Sequence, residues 1–405
     1  MNLKRVVENV YVVAVSVGLV LLLAHWFGGA DADPLLAAQN SRIRFQTGGE
    51  TATNYAGLTP SEIVLAETVL EKHRVADGKH TELLYVGNSQ TLAIMDQAPG
   101  DMVSPQWLQI LLARKNGLTQ PANAAAPPIN VNLGSLPNIT APELLVRLIA
   151  AGERSPRQAD ILVASAVLEE FRGLGIRDEM LEAASEEKVK ARLHLLVEQN
   201  SDLATVHTSL RPLLTSDAPA AATLTTEASG HSYAKRVEAK LQQSIEKVPL
   251  FARREDLRVA VALGYHELRN HLLGITSSSQ RPVPEASYRA SLEMIELALR
   301  YAQSQHIKVV LYLAPMRPVE PNPNVPSDVA RFRRDLPALC SRYGAKCLDY
   351  VDLVPENLWT NYPDDVAGTE GQRDFAHFTG AAHKLLAEKL LADIADQTGS
   401  VSQSK

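Results

Sequence analysis

The sequence predicts an α/β protein: a parallel five-stranded sheet flanked by helices, with a helical insertion and an N-terminal transmembrane helix. Three observations carry that expectation. Short apolar runs alternate with stretches of helical period, the pattern of strands covered on both faces by crossover helices. Two Thr-x-x-Glu sequences have the form of capping boxes at helix starts. The first thirty residues hold an apolar run preceded by Lys4 and Arg5, the charge order of a segment that enters a bilayer.

Residues 1–30 read as a membrane anchor or signal segment. The run at residues 10–27 is interrupted only by Ser16, Gly18 and His25. A helix of that length, at about 1.5 Å per residue, spans roughly 27 Å, enough for a hydrocarbon core. Trp26 at the exit suits a retained anchor, and the small-x-small sequence Ala30-Asp31-Ala32 suits cleavage. Either route puts the body in the periplasm or extracytoplasmic space; a buried core helix is the remaining alternative. Residues 31–58 are polar and without period, a linker. Thr59-Pro60-Ser61-Glu62 then opens a helix. Strands follow at residues 83–87, 129–133 and 161–164, and Thr140-Ala141-Pro142-Glu143 opens the helix between the last two. Residues 309–313 make a fourth strand and 346–350 a weaker fifth. Each follows a helical period, at 288–303 and 329–342, and a helix over 379–394 closes the chain.

Residues 59–166 and 284–397 thus form one domain, and residues 167–283 an insertion without strand pattern. The insertion has helical stretches at 178–199 and 233–275, separated by a Pro/Ala/Thr/Ser-rich linker at 212–232. Arg236, Lys240, Lys247, Arg253, Arg254 and Arg258 make the second stretch basic. That basic stretch is either a solvated face or a surface for an anionic polymer or membrane.

With 405 residues, 45% hydrophobic and 21% charged, the chain suits a folded body rather than a disordered one. Its 40 basic and 46 acidic side chains leave a net charge of -6, so nucleic acid is not an expected partner. Glycine-rich nucleotide loops are absent and no cofactor is expected. Cys340 and Cys347, with Gly344 between them, can close a short clip in an oxidising compartment or stay as buried thiols. His266 and His271 are off the helical i,i+4 spacing, and His377 and His383 lack a carboxylate-rich partner set, so no metal is expected.

Three segments carry residues that can be joined into a site at the carboxyl edge of such a sheet. In Gly87-Asn88-Ser89, Ser89 sits on a tight turn after the first strand, either as a nucleophile whose own N–H faces an oxyanion or as a helix cap. Asp374 and His377 lie three apart on a loop before the last helix. A carboxylate there can fix the imidazole tautomer and leave the other nitrogen to take a proton from a hydroxyl. Gly134, after the second strand, can bring a backbone N–H to an oxyanion or simply make a turn. Arg317, after the fourth strand, can bind an anionic substrate or form a salt bridge.

Gly87-Asn88-Ser89, Gly134 and Asp374-x-x-His377, in that order and strand context, resemble the SGNH (GDSL-type) hydrolase superfamily. The run His377-Phe378-Thr379-Gly380 also looks like that family's last block. The resemblance covers roughly residues 80–166 and 284–396 and implies a flavodoxin-like three-layer sandwich. It implies Ser89 as nucleophile, His377 as base and Asp374 as its orienter. The N–H groups of Ser89 and Gly134 would form part of the oxyanion hole, and Asn88 would join Arg317 in binding substrate. The chain departs from the family at two places: Asn88 replaces the usual aspartate, and Ser165-Ala166-Val167-Leu168-Glu169-Glu170 lacks the usual oxyanion asparagine.

Exported members of this kind resemble O-acetyltransferases of exopolysaccharides and proteins of teichoic acid D-alanylation. That likeness implies a cell-envelope polysaccharide as substrate and a membrane-bound O-acyltransferase as partner. Three activities remain open: acyl transfer to a sugar, hydrolysis of small or lipid esters, and a catalytically silent fold that binds polysaccharide or scaffolds a partner.

Overall fold

The computed structural model describes residues 43–45, 58–70, 80–95, 100–115, 129–154, 159–203, 205, 206, 209, 210, 214, 274, 276–361 and 372–395. The segment expected to enter a membrane, residues 1–30, lies outside them. So do most of the second helical stretch and the Pro/Ala/Thr/Ser-rich linker of the insertion. Among the described residues no helix is long and apolar enough to cross a membrane.

In chain order the elements are β1 (Ile43–Phe45), α1 (Pro60–Thr68), β2 (Thr81–Val86), β3 (Ala93–Met95), α2 (Ser104–Lys115), β4 (Ile129–Leu133), α3 (Ala141–Arg154) and β5 (Ile161–Ala166). There follow α4 (Asp178–Ser185), α5 (Glu187–Gln199), α6 (Glu285–Ser304), β6 (Lys308–Leu313), α7 (Pro326–Arg342), β7 (Lys346–Asp349), β8 (Trp359–Asn361), β9 (Arg373–Phe378) and α8 (Gly380–Asp393). Five strands pair in parallel in the order β4-β2-β5-β6-β7. The chain leaves β2 to one side and returns to its other side, so the order reverses at the carboxyl ends of β2 and β5. Ligands of open α/β sheets collect at such a reversal.

Side-chain alternation along the strands splits the core into two layers. Leu84, Val86, Leu162, Ala164, Leu311 and Leu313 face one way, into a core shared with α3, α5, α6 and α7. Leu83, Tyr85, Ile161, Val163, Val310 and Tyr312 face the other, under α2 and α8. The short helices α4 and α5 pack on α3. Phe171 joins the first layer, 5.4 Å from the Tyr288 ring and 5.1 Å from that of Phe332.

Local chemistry explains the start of α1 and, in part, that of α3. The Thr59 hydroxyl accepts from the Glu62 N–H at 3.3 Å, and the Glu62 carboxylate accepts from the Thr59 N–H at 2.9 Å. Arg114 bonds the same carboxylate at 2.7 Å, which ties α1 to α2 and holds Glu62 below its ordinary pKa. The second box forms only half. Glu143 accepts from the Thr140 N–H at 3.0 Å, but the Thr140 hydroxyl donates to the Gly175 carbonyl at 2.8 Å. The helical period over residues 178–199 divides into α4 and α5, because Glu186 between them turns to φ -57°, ψ 131°.

The sequence reading missed α2, the β1–β3 pair and β8. It also placed residues 373–378 on a loop, whereas they form β9, antiparallel to β8.

Candidate active site

The segment after β2 is built almost wholly by its own residues. Asn88 caps a single 3-10 turn, Ser89–Thr91, its side-chain oxygen accepting from the Gln90 N–H at 3.0 Å. The Asn88 carbonyl accepts from both the N–H and the hydroxyl of Thr91, at 3.0 and 2.7 Å. Gly87 is required by close approach: a Cβ there would lie 2.3 Å from Ser165 Oγ and 2.5 Å from Thr91 Cγ2. Ser89 is 7% exposed. Asn88, expected to touch substrate, uses its side-chain oxygen for this cap.

Strand β9 packs against the Ser89 turn and against β3. Only Trp359↔Phe378 and Asn361↔Arg373 pair in register with β8, so the four residues 374–377 of β9 bulge opposite the single Thr360. The bulge brings together two side chains that a regular strand would point to opposite faces. His377 Nδ1 lies 2.8 Å from Asp374 Oδ2, and Asp374 Oδ1 accepts from the N–H groups of Ala376 and His377 at 2.7 and 3.1 Å. The Asp374 side chain is fully buried and that of His377 is 12% exposed. With Nδ1–H donating to the carboxylate, Nε2 is the nitrogen left to accept a proton. Among the described residues, no hydrogen bond joins the Ser89 hydroxyl to His377. Catalytic contacts of this kind commonly tighten only once substrate is bound.

Arg317 takes up the salt-bridge alternative, with Glu356. It is 5% exposed, and its guanidinium is taken up by protein partners. Nε donates to both oxygens of Glu356 at 3.0 Å, and one terminal nitrogen donates to Glu356 at 2.6 Å and Asn361 at 3.2 Å. The other reaches the carbonyls of Thr360 at 2.6 Å and Asp374 at 3.0 Å. A planar fork suits several fixed acceptors, and here it fastens β8 to β9.

Gly134 is corrected as an oxyanion donor. Its N–H donates to the Tyr85 carbonyl at 2.7 Å, and the Leu136 N–H donates to Gly87 at 2.9 Å. The chain after β4 thus keeps the parallel ladder going past the strand end, which uses the N–H the sequence reading assigned to catalysis. Glycine is still needed there for space, since a Cβ would meet Leu84 at 3.0 Å and Val86 at 3.1 Å.

After β5, Glu169 lies 3.9 Å from Arg172, while Glu170 accepts from the Val167 N–H at 3.4 Å. Burial pushes the Glu170 carboxyl well above the ordinary carboxylate range. Cys340 and Cys347 are free thiols rather than a closed clip. A hydrogen bond with Cys340 is the main cause raising the Cys347 thiol. No group of three or more metal-binding side chains occurs among the described residues.

Two site-building residues escaped the sequence reading. His383 is buried on α8; its Nδ1 accepts from the Ser104 N–H at 3.1 Å, so its Nε2–H donates to the Ala93 carbonyl at 3.2 Å. Burial pushes its pKa down to about 3. Its place beside Ala382, on the face that also carries Leu386 and Leu390, was the available signal. Gln90, also buried, donates from Nε2 to the Pro315 carbonyl at 3.1 Å. Nothing in its local sequence marks that contact.

No family model matches the chain, and no curated protein matches it. Among solved structures it is similar to a "putative acylhydrolase" from Bacteroides fragilis, with 11% identity and a TM-score of 0.31, covering 82% of this chain and 95% of that one. A likeness this distant transfers neither fold nor activity.

Proposed function

We propose that the protein is an SGNH-type esterase or O-acyltransferase with Ser89, His377 and Asp374 as its catalytic triad. The observation that carries this reading is the 2.8 Å bond from His377 Nδ1 to a fully buried Asp374, on a bulged strand packed against the Ser89 turn. Asp374 holds the ring in the tautomer that leaves Nε2 basic. Nε2 takes the Ser89 proton as Oγ attacks the acyl carbon, and the imidazolium returns that proton to the departing alkoxide. The resulting acyl-serine is attacked by water or by a sugar hydroxyl, which gives up its proton to His377; the bond from the acyl carbon to Ser89 Oγ then breaks as His377 returns that proton to Oγ, restoring the free serine and neutral imidazole. The Ser89 N–H, at the start of its turn, supports one oxyanion donor.

The apolar run at residues 10–27 supports an extracytoplasmic body, membrane-tethered or released, acting on O-acyl groups of a cell-envelope polysaccharide beside a membrane-bound acyltransferase. A second reading, a silent fold that binds polysaccharide, is favoured by one observation: the Gly134 N–H is already paired.

p-Nitrophenyl acetate turnover and fluorophosphonate labelling test the choice. The enzyme reading expects both in the wild type, with each falling by at least about 10³-fold in Ser89→Ala and His377→Ala. Equal turnover in all three proteins would reject the triad. Acylation of an added oligosaccharide separates transfer from hydrolysis.

A further inference from the structure

We propose that the segment 314–317 after β6 is a positioning platform that sets the distance between Ser89 and His377, with Gln90 and Arg317 as its two arms. The inference rests on the triad reading and extends it to residues that touch no substrate. The platform is itself held on both sides. The Ala314 N–H donates to the Ala166 carbonyl at 2.9 Å, and the Met316 N–H to the Val351 carbonyl at 2.9 Å. Asn322 donates from its side chain to the Arg317 carbonyl at 2.8 Å.

From this anchored segment, one contact runs to each half of the site. Gln90, the residue after Ser89, binds the Pro315 carbonyl at 3.1 Å. Arg317 binds the Asp374 carbonyl at 3.0 Å and, through Thr360 and Glu356, the strand beside it. Thr360 in turn donates its hydroxyl to the His377 carbonyl at 3.1 Å. Both arms are buried, so neither bond competes with water, and each side chain would be left unsatisfied if its partner moved. Two segments far apart in sequence are therefore referenced to the same short stretch of backbone. A displacement of about 1 Å between nucleophile and base is enough to cost about 10²-fold in rate.

The test uses the full chain with p-nitrophenyl acetate, comparing wild type, Gln90→Leu, Arg317→Lys and the double variant. Thermal midpoints and near-UV circular dichroism identify the folded proteins. Gln90→Leu, close in volume, is expected to fold and to lower kcat by about 10- to 100-fold with KM within twofold. Arg317→Lys keeps the charge but loses the fork, and is expected to lower kcat by a similar factor. Because both arms act on one segment, the double variant should lose clearly less than the product of the single losses. A folded Gln90→Leu with kcat within twofold of wild type overturns the proposal, and so do losses that simply multiply. An active wild type with either result overturns the platform alone; a wild type without turnover or labelling overturns the triad reading with it.

Discussion

The Ser89 turn and the Asp374–His377 bulge meet at one edge of the sheet but are held by opposite means. Around Ser89 the bonds are local: Asn88 to Gln90, Thr91 to Asn88, and Leu92 back to the Ser89 carbonyl at 3.2 Å. Around His377 the decisive partner outside the strand is Arg317, more than fifty positions away, which fixes the backbone of Asp374 from outside. The first half is a turn that its own sequence encodes. The second is an irregular strand that exists because a buried guanidinium and a neighbouring strand demand it. The Ser89 turn is closed mostly by its own bonds and tied outward through the Gln90–Pro315 contact, whereas the His377 bulge needs an outside frame along its backbone.

Breaking the clamped half at its chemical centre should have the largest effect. Asp374→Asn keeps the size of the side chain but stops favouring the Nδ1–H tautomer, so kcat for the ester is expected to fall by about 10⁴-fold with little change in KM. Steady-state kinetics on the purified variant check it, and a loss below tenfold would mean that Asp374 does not orient the ring.

His383 sharpens the comparison, because it joins the halves: it lies on α8 just past His377 and bonds Ala93 just past Ser89. Its pKa is about 3 in the fold, below the ordinary value of 6.5. The unfolded chain therefore binds the extra proton between those values, and stability falls as pH drops from about 6.5 toward 3, by about 1.4 kcal/mol per pH unit from this group. Denaturant titrations from pH 7 to pH 4 should show that slope in wild type and a shallower one in His383→Gln. Identical slopes would remove His383 as the source.

Gly87→Ala tests the local half by itself. The added methyl would press on Ser165 Oγ and Thr91, with an expected cost of about 1–3 kcal/mol. Ser165→Ala in the same chain should restore part of it. Chemical denaturation reads both, and a neutral Gly87→Ala would show that the turn has slack.

Much of this architecture was legible because it is encoded locally. The apolar runs at residues 83–87 and 161–164 became β2 and β5, interior strands covered on both faces, while Ile129-Asn130-Val131-Asn132-Leu133 became the edge strand β4, whose two asparagines donate to Glu82. The Asp374-x-x-His377 pair was legible as chemistry but not as structure, because the bulge depends on β8. Arg317 stayed open between a ligand and a salt bridge for a related reason: an arginine at a sheet edge looks the same in sequence whether it faces a substrate or a neighbouring strand. Gly134 was read correctly as a place that needs glycine, yet its N–H was assigned to an oxyanion when the ladder had already used it.

By itself, the sequence determined the alternation of strands and helices, the capped start at Thr59 and the turn that carries Ser89. These rest on contacts a few residues apart, which composition and spacing express directly. Only the tertiary structure decided which polar groups remain available at the sheet edge: it consumed the Gly134 N–H, saturated Arg317 and set His383 between two segments. Hydrogen-bond partners far apart in the chain leave no trace in local spacing, because folding, not sequence proximity, selects which donors and acceptors meet.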